Sequence, residues 1–253
     1  MSDDFPEPDR IEGAPHPRET LRLFGQDAAE AAFLTARRSG RMHSGWMLTG
    51  PEGVGKATLA YRIAAHLLSE PPEGGLFGAP PPPESLDTDP EGADARQVRA
   101  GSHARLRVVR RTAPERSERL SQQIRAEDVR ALKDFFHLSA PDGGRRVVIV
   151  DAADEMNPTA ANALLKELEE PPARTTLLLV VHQPTAVLPT IRSRCRELRL
   201  APLGADDLAR ALAQAGLSTD APEALAVLSG GSVGRAVRLA AQNGLKAYAE
   251  LVA

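Results

Sequence analysis

Gly50-Pro51-Glu52-Gly53-Val54-Gly55-Lys56-Ala57-Thr58 runs glycine, four residues, then Gly-Lys, the pattern of a phosphate-binding loop. Its glycines let successive backbone N–H groups curl around a polyphosphate, and the helix that follows points its positive end at the same anion. In such a loop the lysine, here Lys56, reaches the terminal phosphates, and a Ser or Thr hydroxyl at the next position holds Mg²⁺. That next position is Ala57, which has no oxygen to offer. Thr58 is one residue further, about 100° around the helix, and is expected to point away from the metal. The plainer alternative is a glycine turn that only joins a strand to a helix. The flanks argue against it, because Trp46-Met47-Leu48 is an apolar run before the loop and Leu59, Ile63, Ala64, Leu67 and Leu68 repeat at helical spacing after it.

A second stretch supports the same α/β reading. Arg145-Arg146-Val147-Val148-Ile149-Val150-Asp151 is a buried parallel strand ending in a carboxylate, the Walker B shape in which the Asp supports Mg²⁺ and a following Glu orients the attacking water. Ala152 stands where that Glu belongs. General-base assistance is worth ~10²–10⁴ in rate, so losing it together with the metal-binding hydroxyl argues against self-contained hydrolysis. Asp154 and Glu155 are the nearby carboxylates that could substitute. Asn157 then caps a helix, Pro158 takes its first turn and Pro171-Pro172 stops it.

Around these stretches the chain is of ordinary soluble composition. Of 253 residues, 42% are hydrophobic and 26% charged, with a net charge of −3. No segment approaches the roughly 18 apolar residues of a membrane span. The start, Met1-Ser2-Asp3-Asp4-Phe5-Pro6, lacks the basic and apolar regions of a signal peptide. Cys195 is the one cysteine, which excludes an internal disulfide and a cysteine zinc cluster. The expectation is a cytoplasmic protein, and the weak negative charge argues against a strong independent grip on DNA.

Residues 1–18, rich in acid and proline, read as a loose lead-in, followed by Thr20 to Gln26 and a helix through Ala28, Ala32, Phe33 and Ala36. Arg37 to His43 is basic, either a solvated loop or a contact with nucleotide or a partner. Residues 70–95, dominated by proline, glycine and acid, read as an exposed, partly disordered insertion. Arg96, Arg99, Arg105, Arg107, Arg110, Arg111, Arg116 and Arg119 follow, as a solvated face or as a surface for nucleic acid or a neighbouring subunit. Leu106, Val108 and Val109 predict a strand, and Ile124, Val129, Leu132 and Phe136 a helix. After Leu203 three helices are expected: one with Leu208 and Leu212, one with Pro222, Leu225, Val227 and Leu228, and a third opened by Gly230-Gly231-Ser232-Val233-Gly234-Arg235 and running through Ala236, Val237 and Leu239.

Asn162-Ala163-Leu164-Leu165-Lys166-Glu167-Leu168-Glu169-Glu170-Pro171-Pro172, with Ser193-Arg194-Cys195 after it, resembles the bacterial DNA polymerase III clamp-loader subunits. These are AAA+ proteins that open a ring-shaped sliding clamp and close it around primed DNA. The resemblance runs from His16 to Asn243, most of the chain. It implies an AAA+ P-loop domain over residues 1–201, a small helical lid over 202–253 and, in family members, a helical collar beyond. Two readings of the missing collar stay open: a chain cut short before it, or one without it. Motor subunits of the family carry Lys-Thr or Lys-Ser, Asp-Glu and a four-cysteine zinc module; this chain has Lys56-Ala57, Asp151-Ala152, no such cysteines, and Val181 at the polar sensor position. All four departures resemble the stationary, non-motor class of subunit.

The resemblance assigns Arg194 as an arginine finger that reaches into a neighbour's ATP site, a task suited to a planar, always-charged guanidinium. The alternative is a surface arginine between Arg192 and Arg196. Cys195 reads as a small buried residue, since nothing nearby resembles a Cys–His pair. Gly50, Gly53, Gly55, Lys56, Thr58, Asp151 and Arg235, the last as a sensor-2 arginine or else a plain helix-surface residue, are the expected nucleotide contacts. ATP binding is the expectation for the cofactor, with neither zinc nor hydrolysis by the chain alone. Implied partners are motor subunits of the gamma/tau type, the clamp-opening delta subunit, the sliding clamp indirectly, and primed DNA through the complex, with no membrane. Nucleotidyl transfer belongs to the holoenzyme, since no suitable carboxylate pair is present. Two rivals stand beside this reading: an active motor using Thr58 and Asp154, and an inert P-loop scaffold.

Overall fold

Continuous apolar runs are what a strand needs when both faces of its sheet are covered, and the described chain uses them that way. The computed structural model describes residues 7–40, 42–70, 83–113, 119–137 and 144–241. In chain order the elements are α1 (Asp27–Arg38), β1 (Gly45–Thr49), α2 (Lys56–Leu68), α3 (Ala93–Ala100), β2 (Leu106–Arg110), α4 (Ala126–His137), β3 (Arg146–Asp151), α5 (Pro158–Glu169), β4 (Thr175–Val181), α6 (Pro189–Arg192), β5 (Cys195–Arg199), α7 (Ala205–Gln214), α8 (Pro222–Ser229) and α9 (Val233–Ala241). The five strands form one parallel sheet in the order β2-β3-β4-β1-β5.

Alternate side chains of each strand enter two different cores. Trp46, Leu48, Val147, Ile149, Leu178 and Val180 pack with Phe33 of α1 and Leu59, Ile63 and Leu67 of α2. Met47, Val148, Val150, Leu177, Leu179 and Val181 pack with Val129 and Leu132 of α4 and with Leu164 and Leu168 of α5. The helices after β5 bury Leu208, Leu212, Leu225 and Val237 in the first core. Asn157 caps α5 as its sequence predicts, its side-chain oxygen accepting the Ala160 N–H at 2.8 Å, with Pro158 in the first turn. Among the described residues no helix is long and apolar enough to cross a membrane.

Two expectations need correction. From Glu7 on, the lead-in is docked rather than loose. His16 is fully buried, Arg18 donates to Glu7 at 2.8 Å, and Arg110 reaches Asp9 at 2.9 Å and Glu7 at 3.1 Å. Burial alone would raise the Asp9 carboxyl, but the hydrogen bond and charge of His16, with the charge of Arg110, bring it below its usual range. The arginine cluster therefore includes internal partners of the acidic lead-in, and Arg111 joins them by pairing with Glu155 at 2.7 Å. Arg37 also turns inward, to Glu70 at 2.7 Å. The second correction concerns residues 70–95. Glu70 is engaged by Arg37 and, at 2.9 Å, by Arg145, Leu86 is 1% exposed, and α3 starts at Ala93. Arg41, residues 71–82, Arg116 and the last part of the expected lid, residues 242–253, lie outside the described residues.

Candidate functional site

The phosphate-binding loop leaves the sheet after Thr49 and enters α2 at Lys56. Gly50 has φ +142, and a Cβ there would lie 2.5 Å from the Leu200 carbonyl oxygen, so no side chain fits. Gln26, 4% exposed, ties the loop down. Its Nε2 donates to the Val54 carbonyl at 3.2 Å and the Ala201 carbonyl at 2.8 Å, while its Oε1 accepts the Ala201 N–H at 3.1 Å. Lys56, 3% exposed, donates to the Gly50 and Pro51 carbonyls at 2.7 and 2.6 Å. Burial lowers its ammonium to about 8, against the opposing fields of Asp151, Asp154 and Glu52. A phosphate would have to take Lys56 from carbonyls of its own loop.

Gly53, Gly55, Lys56, Ala57, Thr58 and Asp151 share the wall of one cavity of about 210 Å³. Thr58 is part of the wall, and Gly50 contributes only its carbonyl to Lys56. Asp151 ends β3 and is 8% exposed. Burial first, then Asp9 and Glu155, push its carboxyl up to about 7, against the pull of Lys56 and Arg110. The backbone cradle, the helix start and Lys56 fit a phosphate group. The remaining wall fits it less well, because Asp9, Glu52, Asp151 and Glu155 face Lys56, Arg22 and Arg111 and the cavity is not electropositive.

One residue of the cavity wall, His182, was not legible as a site residue, whereas Val181, Asp154 and Glu155 were named from the sequence. His182, the first residue after β4, lines the cavity; its Nδ1 is buried without a hydrogen-bond partner, and burial lowers its pKa. Val181 before it is fully buried in the core and offers nothing to a ligand. Asp154 accepts the backbone N–H groups of His182 and Gln183, both at 3.0 Å, one on each carboxylate oxygen. Both oxygens brace the turn after β4, and Asp154 is not part of the cavity wall. Glu155 lines the cavity but is paired with Arg111, and burial raises its carboxyl.

The helices after β5 close on the loop directly. The Gly234 N–H donates to the Gly53 carbonyl at 3.2 Å, and Arg238 pairs with Glu52 at 3.3 Å. Arg235, the expected sensor arginine, is exposed and outside the cavity wall. Residues one turn apart on a helix share a face, but the one whose side chain meets the loop here is Arg238.

Arg194 lies elsewhere. It directly precedes β5, whose Cys195 pairs with Gly45 and whose Arg199 pairs with Thr49. Arg194 therefore sits where the strands begin, and the phosphate-binding loop where they end. The length of β1 alone separates the two by roughly 13 Å. A Cβ at Gly45 would lie 2.8 Å from Leu168 Cδ2 and 3.0 Å from Cys195 Sγ, so Leu168 would have to shift to admit one. That close approach brings the end of α5 against the Arg194 turn. Arg194 pairs there with Glu169 at 2.9 Å and donates to the Thr190 carbonyl at 3.0 Å. The neighbouring Cys195 thiol is pushed up by burial to about 12, which keeps it protonated.

Comparison with known proteins adds three findings. Residues 25–204 match the family described as DNA polymerase III, delta subunit. Over 212 residues the chain is 40% identical to DNA polymerase III subunit delta' of Pseudomonas aeruginosa, covering 82% of this chain and 58% of that protein. Over 208 residues it is 32% identical to the delta' subunit of Escherichia coli, covering 82% of this chain and 57% of that one. The chain thus spans little more than half the length of these relatives. Among solved structures, the Thermotoga maritima RuvB Holliday junction branch migration motor superposes with a TM-score of 0.52 at 18% identity, over 88% of this chain and 64% of that one. That likeness concerns the AAA+ fold alone.

Proposed function

This chain belongs to the DNA polymerase III delta' subunit family, and we propose that it serves as a stationary, hydrolysis-deficient member of the clamp loader. In this reading it supplies Arg194 in trans to the ATP site of a neighbouring motor subunit of the gamma/tau type. It also contacts the clamp-opening delta subunit, and it helps place the sliding clamp on primed DNA through the complex.

The observation that carries this reading is the placement of Arg194 at the opposite end of the sheet from the chain's own loop. An arginine so placed cannot serve its own cavity, and a contact with nucleotide must be with another subunit's. Ala57 and Ala152 lack the groups that would hold magnesium and activate water, and Asp154 is committed to the His182 and Gln183 amides. The stationary role draws further support from Gly53–Gly234 and Glu52–Arg238, which fix α9 to the loop through the chain's own groups. Residual ATP binding, through the cradle and Lys56, is part of the proposal; turnover is not. The division into a P-loop domain over 1–201 and a lid from 202 is retained as part of the same reading.

The test is Arg194→Ala in a loader reassembled with its motor and delta subunits, read as DNA-stimulated ATP hydrolysis. A finger supplied in trans is worth ~10³–10⁵ in rate, so turnover at the adjacent site should be lost. Undiminished ATPase would leave the chain as an inert scaffold. Steady-state hydrolysis by the isolated chain, abolished by Lys56→Ala, would instead make it a motor.

A further inference from the structure

Arg194 is held by a residue to which neither the motifs nor the family resemblance gives a role. Its guanidinium donates to Thr190 O at 3.0 Å and Ser193 Oγ at 3.5 Å, both within its own turn. Among the described residues the one partner from another element is Glu169, the last residue of α5, whose Oε1 lies 2.9 Å from the other terminal nitrogen. Glu169 is brought there by the seating of Leu168 against Gly45, beside Cys195. The pair is half exposed, with the Arg194 side chain at 38% and Glu169 at 44%. That setting is strong enough to bias where the guanidinium points and weak enough to be exchanged.

We infer that Glu169 is the positioning residue for Arg194, holding its guanidinium until the phosphate of a neighbouring subunit's nucleotide replaces the carboxylate. The inference rests on the reading of Arg194 as a finger acting in trans. Carboxylate and phosphate offer a guanidinium the same planar pair of acceptor oxygens, so Glu169 and the incoming phosphate compete for one group. Engagement of the finger then includes an exchange of anions, and removing Glu169 relieves the competition.

The kinetic consequence is specific. The Glu169–Arg194 contact is broken before the bound ground state and remains broken in the transition state. Its loss therefore strengthens binding of both equally, and lowers KM while leaving kcat in place. In the reassembled loader with clamp and primed DNA, Glu169→Gln should lower the apparent KM for ATP by about two- to fivefold, the range of an exposed ion pair. The kcat should stay within about twofold, and the KM difference should shrink as salt screens the pair.

Measured together, Glu169→Gln, Arg194→Ala and the double variant separate the outcomes. Support is a lowered KM in Glu169→Gln that vanishes when Arg194 is already Ala. An unchanged KM in Glu169→Gln, with Arg194→Ala strongly impaired, overturns the positioning role and leaves the finger standing. A fall in kcat in Glu169→Gln also overturns it, since competition in the ground state cannot produce that. If Arg194→Ala hydrolyses ATP like the parent, the finger reading itself fails and the inference goes with it. A KM shift that persists on the Arg194→Ala background marks Glu169 as acting on something other than Arg194 and overturns the inference as well.

Discussion

Removing the Asp154 carboxylate separates a structural role from a catalytic one more cleanly than any other single change. In Asp154→Ala the turn after β4 loses two charge-assisted hydrogen bonds, from the His182 and Gln183 amides at 3.0 Å each. Gln183 is exposed and its N–H regains water at little cost, whereas the His182 N–H is partly buried. Taking ~1.5 kcal/mol for the His182 bond and ~0.5 kcal/mol for the other, the loss is about 2 kcal/mol. For a protein of this size about 1 kcal/mol moves the melting temperature by 2–4 °C, so Tm should fall by about 4–8 °C. Asp154→Asn keeps one acceptor oxygen and should fall by about half as much. Thermal unfolding followed by circular dichroism at neutral pH measures both. A Tm for Asp154→Ala within a degree of the parent would refute the bracing argument. ATP turnover by the isolated parent chain that disappears in that variant would return Asp154 to the role of a base.

Asp151→Asn tests burial at the cavity. Because the folded carboxyl is raised from 3.8 to about 7, the protonated form is favoured in the folded state. Its contribution is full below 3.8 and is lost as pH rises to about 7, a change on the order of 4 kcal/mol. The parent's urea midpoint should therefore fall across that window while the variant's falls much less; parallel curves would count against the assignment. Glu70 works in the opposite sense: burial alone would raise its carboxyl, but Arg37 and Arg145 hold it below 4.5, so the stability it contributes is lost only as pH drops through that depressed value. Glu70→Gln should cost about 1–3 kcal/mol at pH 7 and almost nothing in strong acid, as judged by denaturant midpoints. The Cys195 thiol, raised to about 12, should react with a disulfide reagent at pH 8 far more slowly than a free cysteine, and approach the free rate only on unfolding.

How much of this was legible in the sequence follows from the range of the interactions involved. Val147 to Val150 and Leu177 to Val181 are short, uninterrupted apolar runs rich in β-branched residues, as a strand covered on both faces requires. Asn157-Pro158 announces the start of α5 within two residues. The docked lead-in left no such trace, because Asp9 meets Arg110 across a separation of 101 residues and isolated charges carry no periodicity. The same holds for Glu169 and Arg194, which the motif strings placed in separate blocks. Arg235 and Arg238 differ by less than one helical turn, and only the packing of α9 against Gly53 decides which of them meets the loop. His182 was masked by the apolar run it follows: the strand announced its burial, and nothing announced that its next residue opens onto a cavity.

The order of the strands has a consequence for how the chain is made. β1, which carries the phosphate-binding loop, hydrogen-bonds to β4 and β5 and to no other strand of the sheet. Gly45 thus waits for Leu177 and Cys195, and Gln26 waits for Ala201. During synthesis the segment that looks most finished on paper has no strand to pair with until β4, ending at Val181, has left the ribosome. Contacts this distant in sequence make folding slow, and during that delay Trp46, Met47 and Leu48 lack the strand partners that bury them.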